Sequence, residues 1–172
     1  TPMKEDGAID FSSLTQLLKE QEEAGNGIVV LGSTGEALNL NDQEKKAIVE
    51  HTVSLSLKTA LMVGIGGINL TETKDWLSYL ETKPFDCYLM VTPLYSKPGP
   101  KGQYLWFKEL LDASTKPSML YNIPGRTGKN LDHKAVKELV GHPRFWAIKE
   151  ASGSVEDFKK YIVNTANFMS ES

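Results

Sequence analysis

The chain has 172 residues, 40% hydrophobic and 24% charged, with a formal net charge of −3. That is the composition of a globular protein long enough to bury one core. Its scattered basic residues give no electrostatic footprint for nucleic acid or an acidic membrane. No apolar run reaches the roughly 20 residues of a membrane span, and the lone cysteine, Cys87, excludes an internal disulfide.

Short apolar runs alternate with amphipathic helical patterns along the chain. Residues 11–21 place Phe11, Leu14, Leu17 and Leu18 on one face and predict a helix. GIVVLG (27–32) is short, branched and unalternating, which predicts a buried strand. Residues 42–55 read as a helix, with Asn41 or Asp42 as its N-cap. ALMVGIG (60–66) is the second strand and 71–80 the next helix. CYLMVTP (87–93) is the third strand, with Cys87 as a small buried hydrophobe. A helix over 102–111 follows, then the strand SMLYNIP (118–124), in which Pro124 and Gly125 predict a tight turn. A helix over 133–140, the strand FWAIKEA (145–151) and a helix over 155–162 complete the series.

The strands recur about every 26–33 residues, the size of a βαβ unit. Continuous apolar strands, each followed by a helix, predict a parallel sheet covered by helices. Two α/β architectures fit, an open doubly wound sheet or a (β/α)8 barrel. GSTGEALN after the first strand lacks GxGxxG spacing and lacks GKS or GKT, which disfavours a nucleotide-binding sheet. The barrel is the better reading. Such a barrel takes about 250 residues, so residues 1–172 are expected to form one partial barrel domain of about five strands.

Sites in both architectures form at the carboxyl ends of strands. There the chain offers Ser33 and Thr34, then Tyr95, then Tyr121 and Arg126, then Lys149. Each has a plainer reading: turn former, surface phenol, helix-edge ion pair, outward-pointing edge residue. Their shared topological position favours chemistry. His51, His133 and His142 have no ligand spacing and read as surface or capping residues. No paired carboxylates suggest glycosidase chemistry. Trp76 and Trp106 read as core stripes.

A strand lysine among Trp146, Ala147, Ile148 and Ala151 is expected to be desolvated, which favours the neutral amine. A neutral amine attacks a carbonyl to form a Schiff base. The imine draws electrons, and a neighbouring carbon can lose a proton to become a nucleophilic enamine. This route calls for no metal and no organic cofactor. It does need a proton shuttle, which Tyr121, Tyr95 and Ser33 could make. It also needs a carboxylate seat, which the backbone of the Ser33–Thr34 turn could provide.

GSTGE, VTPLYSKP, YNIPGRTG and IKEASGS occur in that order. Together they resemble the dihydrodipicolinate (4-hydroxy-tetrahydrodipicolinate) synthase family of the pyruvate-dependent class I aldolases, over essentially the whole chain. The resemblance implies a (β/α)8 barrel with Lys149 as the pyruvate-capturing lysine. Tyr121 corresponds to the family's proton-relaying tyrosine. Ser33 stands where the family carries a hydroxyl, commonly threonine. Tyr95 corresponds to a second relay tyrosine delivered across a dimer interface. Thr34 corresponds to the residue whose backbone seats pyruvate, and Arg126 to the clamp for the aldehyde's carboxylate.

The implied reaction joins pyruvate to L-aspartate-4-semialdehyde in the diaminopimelate route to lysine. It implies a cytoplasmic homodimer or homotetramer with no nucleic-acid or membrane partner. An N-acetylneuraminate lyase-like or keto-deoxy-sugar aldolase is the enzymatic alternative, and Arg126 favours the synthase. A non-catalytic half-barrel binding or assembly module is the other.

Two departures bear on these expectations. Lysine-inhibited members bind lysine near the GSTGE loop and its following helix. Here Ala37, Leu38, Asp42 and Lys45 occupy that stretch, Leu94 replaces a tyrosine, and Thr73 falls near an expected glutamate. Weak or absent lysine inhibition is expected. By the same resemblance, the first barrel strand is expected before Thr1, and the last strands with a C-terminal helical region after Ser172.

Overall fold

A computed structural model of the protein describes residues 1–169. Five strands form one sheet: β1 (Ile28–Val30), β2 (Leu61–Ile65), β3 (Cys87–Val91), β4 (Ser118–Asn122) and β5 (Phe145–Glu150). Every adjacent pair is parallel, and their spatial order is their chain order, β1-β2-β3-β4-β5. A doubly wound sheet reverses strand order at a switch point. This one does not, so the chain folds as part of a β/α barrel.

The helices are α1 (Phe11–Glu23), α2 (Asp42–Ser54), α3 (Leu70–Glu81), α4 (Pro100–Ala113), α5 (Pro124–Thr127), α6 (His133–Leu139) and α7 (Val155–Met169). Local chemistry sets their starts. Asp10 caps α1 by accepting from the Ser13 N–H at 3.1 Å. Asn41 is the cap of α2, and Glu44 completes a reciprocal capping box. Asn69 caps α3 and Asp132 caps α6, while Pro100 opens α4 where a missing N–H costs nothing.

Strand side chains alternate between two faces. One face meets the helices. Leu61, Val63 and Ile65 of β2 and Tyr88 and Met90 of β3 pack there against Leu77, Phe107 and Leu110 in a single core cluster. Each fully buried aliphatic or aromatic side chain contributes roughly 1.5–3 kcal/mol. Trp106 belongs to this core, and its indole N–H donates to the Val91 carbonyl at 3.0 Å. Trp76 is half-buried, stacked on Tyr79 with ring centroids 5.3 Å apart.

The register sets the rows of the other face: Val29, Met62 and Cys87, then Gly64, Leu89, Met119 and Ala147, then Val91, Tyr121 and Lys149. Leu89 and Tyr121 are buried yet stand outside the core cluster. Cys87, expected to be buried, is half-buried on this face. Burial, then the nearby Asp86 carboxylate, push its thiol pKa up.

The β4–β5 ladder is irregular. Ser118 pairs with Phe145, but Met119 pairs with Ala147. Trp146 is the extra residue of this bulge, and its side chain is exposed.

Candidate active site

Because the strands are all parallel, their carboxyl ends lie together. The loop after β1 carries Ser33 and Thr34, and the loop after β3 carries Tyr95. β4 carries Tyr121 near its end, α5 after it carries Arg126, and β5 itself carries Lys149 near its end. All six expected residues therefore sit at one end of the sheet.

Tyr121 and Lys149 are brought into contact. They are register partners, and the Lys149 Nζ lies 4.3 Å from the centroid of the Tyr121 ring. A cation so placed is held by the ring quadrupole. Tyr121 is buried at 6% exposure, while Lys149 is exposed. The expected desolvation of Lys149 is therefore absent among the described residues. The reason is topological: among the described residues β5 pairs only with β4, and no strand covers its other side.

The Ser33–Thr34 loop is shaped by backbone geometry. Leu31 adopts φ 55° and Glu36 φ 58°, both left-handed and unfavourable for side-chain-bearing residues. A Cβ on Gly64 would lie 2.0 Å from the Leu31 carbonyl oxygen, so glycine there lets the loop turn onto β2. The Glu36 N–H donates to the Ser33 carbonyl at 3.2 Å, and Thr1 Oγ1 donates to the Gly35 carbonyl at 2.6 Å. Among the described residues, the N–H groups of Ser33 and Thr34 donate to no protein acceptor. Free N–H groups in a tight turn are suited to an anion.

Tyr95 is 88% exposed, with φ 67°. Among the described residues no hydrogen bond joins Ser33, Tyr95 and Tyr121, so this chain alone does not assemble the relay. Arg126 is exposed. The expected tight turn at Pro124–Gly125 is instead the single helical turn α5. Gly128 closes it at φ 68°, and its N–H donates to the Pro124 carbonyl at 2.8 Å. Thr127 anchors the turn, donating to the carbonyls of Ile123 at 3.1 Å and Lys129 at 2.7 Å. β4 ends at Asn122, two residues short of the expected strand.

Two buried amides that sequence reasoning did not single out hold this end together. Gln103, fully buried, donates to the Pro98 and Asn130 carbonyls at 3.2 and 2.9 Å and accepts from the Asp132 N–H at 2.7 Å. It ties the loop after Tyr95 to the segment after Arg126. Asn122, 1% exposed, accepts from the Leu131 N–H at 2.8 Å and donates to Glu150 Oε2 at 2.7 Å. The Tyr161 hydroxyl donates to the Leu131 carbonyl. Burial, then the carboxylates of Glu150, Asp157 and Asp132, push its pKa up. For Asn122 the legible signal was a polar residue at a strand position whose alternate neighbours are apolar; Gln103 lies on α4 and gave no such signal.

A cavity of 490 Å³ lies between the α5–α6 connection and α7, lined by Lys129, Asn130, Asp132, Asp157 and Lys160 among others. It includes neither Tyr121 nor Lys149. Among the described residues no cluster of His, Cys, Asp and Glu could hold a metal ion. His51 bonds Thr15 Oγ1 at 2.7 Å, and His142 bonds Asp112 at 3.1 Å.

The fold and the site thus define part of a β/α barrel with a lysine on one strand and a tyrosine under it. The dihydrodipicolinate synthetase family matches residues 1–170, and the chain belongs to that family. A 4-hydroxy-tetrahydrodipicolinate synthase of Francisella philomiragia is 47% identical over 161 residues, which cover 94% of this chain and 55% of that protein. A Bacillus anthracis dihydrodipicolinate synthase superposes with TM-score 0.90 at 34% identity, over 97% of this chain and 58% of the other. A chloride-inhibited dihydrodipicolinate synthase of Acinetobacter baumannii, complexed with pyruvate, superposes with TM-score 0.91 at 32% identity, over 96% and 58%. The chain thus spans just over half the length of these relatives. No described helix is long and apolar enough to cross a membrane.

Proposed function

We infer that the protein captures pyruvate on Lys149 and condenses it with an aldehyde bearing a carboxylate, L-aspartate-4-semialdehyde, as a 4-hydroxy-tetrahydrodipicolinate synthase. The observation that carries this reading is the Lys149 amine 4.3 Å from the ring centroid of Tyr121, at the carboxyl end of a barrel sheet. Residues 1–172 act as one domain, part of a β/α barrel, and the activity belongs to the whole protein working in the cytoplasm.

The amine adds to the C2 carbonyl of pyruvate, and water leaves as the imine forms. The N–H groups of Ser33 and Thr34 seat the pyruvate carboxylate. The imine then accepts the electron pair left when the methyl carbon loses a proton, and the resulting enamine carbon attacks the aldehyde. Tyr121, Ser33 and a Tyr95 from a second copy relay the protons. The 88% exposure of Tyr95 supports a role outside its own subunit. Arg126 grips the aldehyde's carboxylate.

Borohydride reduction in the presence of pyruvate tests the first step. A stable adduct on the peptide containing Lys149 is expected. An unlabelled Lys149 with pyruvate in excess would end the proposal. Turnover with aspartate semialdehyde, and none with sugar-derived aldehydes, is expected in the same preparation.

A further inference from the structure

The two faces of the β4–β5 ladder carry two different pairs at neighbouring positions. On the open face Tyr121 pairs with Lys149; on the helix face Asn122 pairs with Glu150. The second pair is a hydrogen bond, from Asn122 Nδ2 to Glu150 Oε2 at 2.7 Å. It lies above the bulge at Trp146, where the ladder has already slipped by one residue. A one-residue slip in a strand turns each side chain to the opposite face. Backbone bonding alone sets that register weakly beside an irregularity, because both alignments can form a ladder.

Asn122 is almost fully buried and spends its whole carboxamide. Its Oδ1 accepts from the Leu131 N–H at 2.8 Å, and Nδ2 also lies 3.5 Å from Asn130 Oδ1. Its backbone carbonyl accepts from the Ala151 N–H at 2.9 Å. Glu150 uses its other oxygen, Oε1, to accept from the Ser152 N–H at 2.5 Å. The pair therefore joins three parts: the end of β5, the loop following it, and the segment running on from the Arg126 turn.

We propose that Asn122 and Glu150 are positioning residues that fix the register of β5 above its bulge, and so the face on which the Lys149 amine emerges over Tyr121. Through Leu131 the same amide also sets the Arg126 turn relative to that amine. Neither residue touches substrate. This rests on the reading of Lys149 as the imine-forming lysine.

The bond has a direction, which makes it testable by exchange. Asn122→Asp removes the donor and sets two carboxylates against each other. Glu150→Gln leaves one amide oxygen for two donors. Combined, the two changes restore the bond with its donor reversed: the amide at 150 donates to the carboxylate at 122, and its oxygen still accepts from Ser152. The total charge is unchanged.

The experiment measures the rate of borohydride trapping of pyruvate at Lys149, and KM for the aldehyde, in the full-length protein and its three variants. Each single change is expected to slow trapping by on the order of 10²-fold, the penalty for a misplacement of about 1 Å, and to raise KM for the aldehyde. The double variant is expected to recover most of both, giving a large favourable coupling in the double-mutant cycle. Single variants that fold and trap at the parent rate would overturn the proposal alone. So would a double variant whose losses are the sum of the two. A parent protein that traps no pyruvate at Lys149 would overturn the imine reading and this proposal with it.

Discussion

On the proposed reading the chemistry turns on Lys149, and its contact with Tyr121 lets charge be separated from nucleophilicity. Lys149→Arg keeps a cation over the ring but presents a guanidinium that stays protonated. Pyruvate trapping should vanish while the thermal midpoint stays close to the parent value; surviving label on this peptide would assign the imine to another amine. Arg126 divides from Lys149 in the opposite way. Arg126→Ala should leave trapping intact and lower kcat/KM for the aldehyde by about 10- to 100-fold, the worth of a lost charged hydrogen bond. Equal losses in trapping and in aldehyde use would show that the two roles are not separate. That all six candidate residues gather at one end of the sheet was legible in the sequence, since parallel strands bring their carboxyl ends together whatever the details. The exposure of Lys149 was not legible. It depends on what lies beside β5, and apolar sequence neighbours such as Ile148 point to the opposite face of the strand. Asn122 was also missed, because an asparagine after a strand tyrosine reads as the onset of a turn.

Among the elements, the loop after β1 depends most on a single atom's absence. The Leu31 carbonyl occupies the space that a Cβ on Gly64 would take, at 2.0 Å. Gly64→Ala should therefore lower unfolding free energy by about 1–3 kcal/mol in a denaturant titration and weaken pyruvate capture at the same time. A variant destabilised with unchanged capture would mean that the loop holds its shape without β2. The strands and most helices followed directly from apolar runs and caps. α5 did not, because Pro-Gly signals a turn as readily as a first helical turn. Thr127 and Gly128 decide the outcome through contacts outside the dipeptide. The bulge at Trp146 was invisible for a similar reason: a register shift is a property of two strands, and only one of them is local in sequence. In α2, Lys45 lies 3.5 Å from Asp42. In α3, Thr73 is buried and its hydroxyl donates to the Asn69 carbonyl at 2.7 Å. The exposed Asp42 carboxylate sits beside the Lys45 ammonium and Thr73 carries no carboxylate, so inhibition by lysine should stay weak through the millimolar range in a steady-state assay.

At the scale of the whole molecule, Tyr95 makes a claim about assembly. If it serves a neighbouring copy, two defective chains can repair each other. Tyr95→Phe and Lys149→Arg variants, each poorly active or inactive alone, should regain activity when mixed and allowed to exchange subunits. The recovered sites would take Lys149 from one chain and Tyr95 from the other. A mixture no more active than its parts would place the phenol in its own subunit's site.

Strand order has a consequence for how the protein is made. Each strand pairs with the one before it in the chain, so on the ribosome every new strand meets an edge already standing. β5 is the last of the five to arrive. On the proposed reading, a nascent chain that has reached α5 already holds the carboxylate seat, the phenol and the guanidinium, but not the Lys149 amine. Until Lys149, the fifth residue of β5, is in place, pyruvate entering the cleft lacks the amine proposed to bond it covalently. On that reading the protein builds its receptor before its reagent.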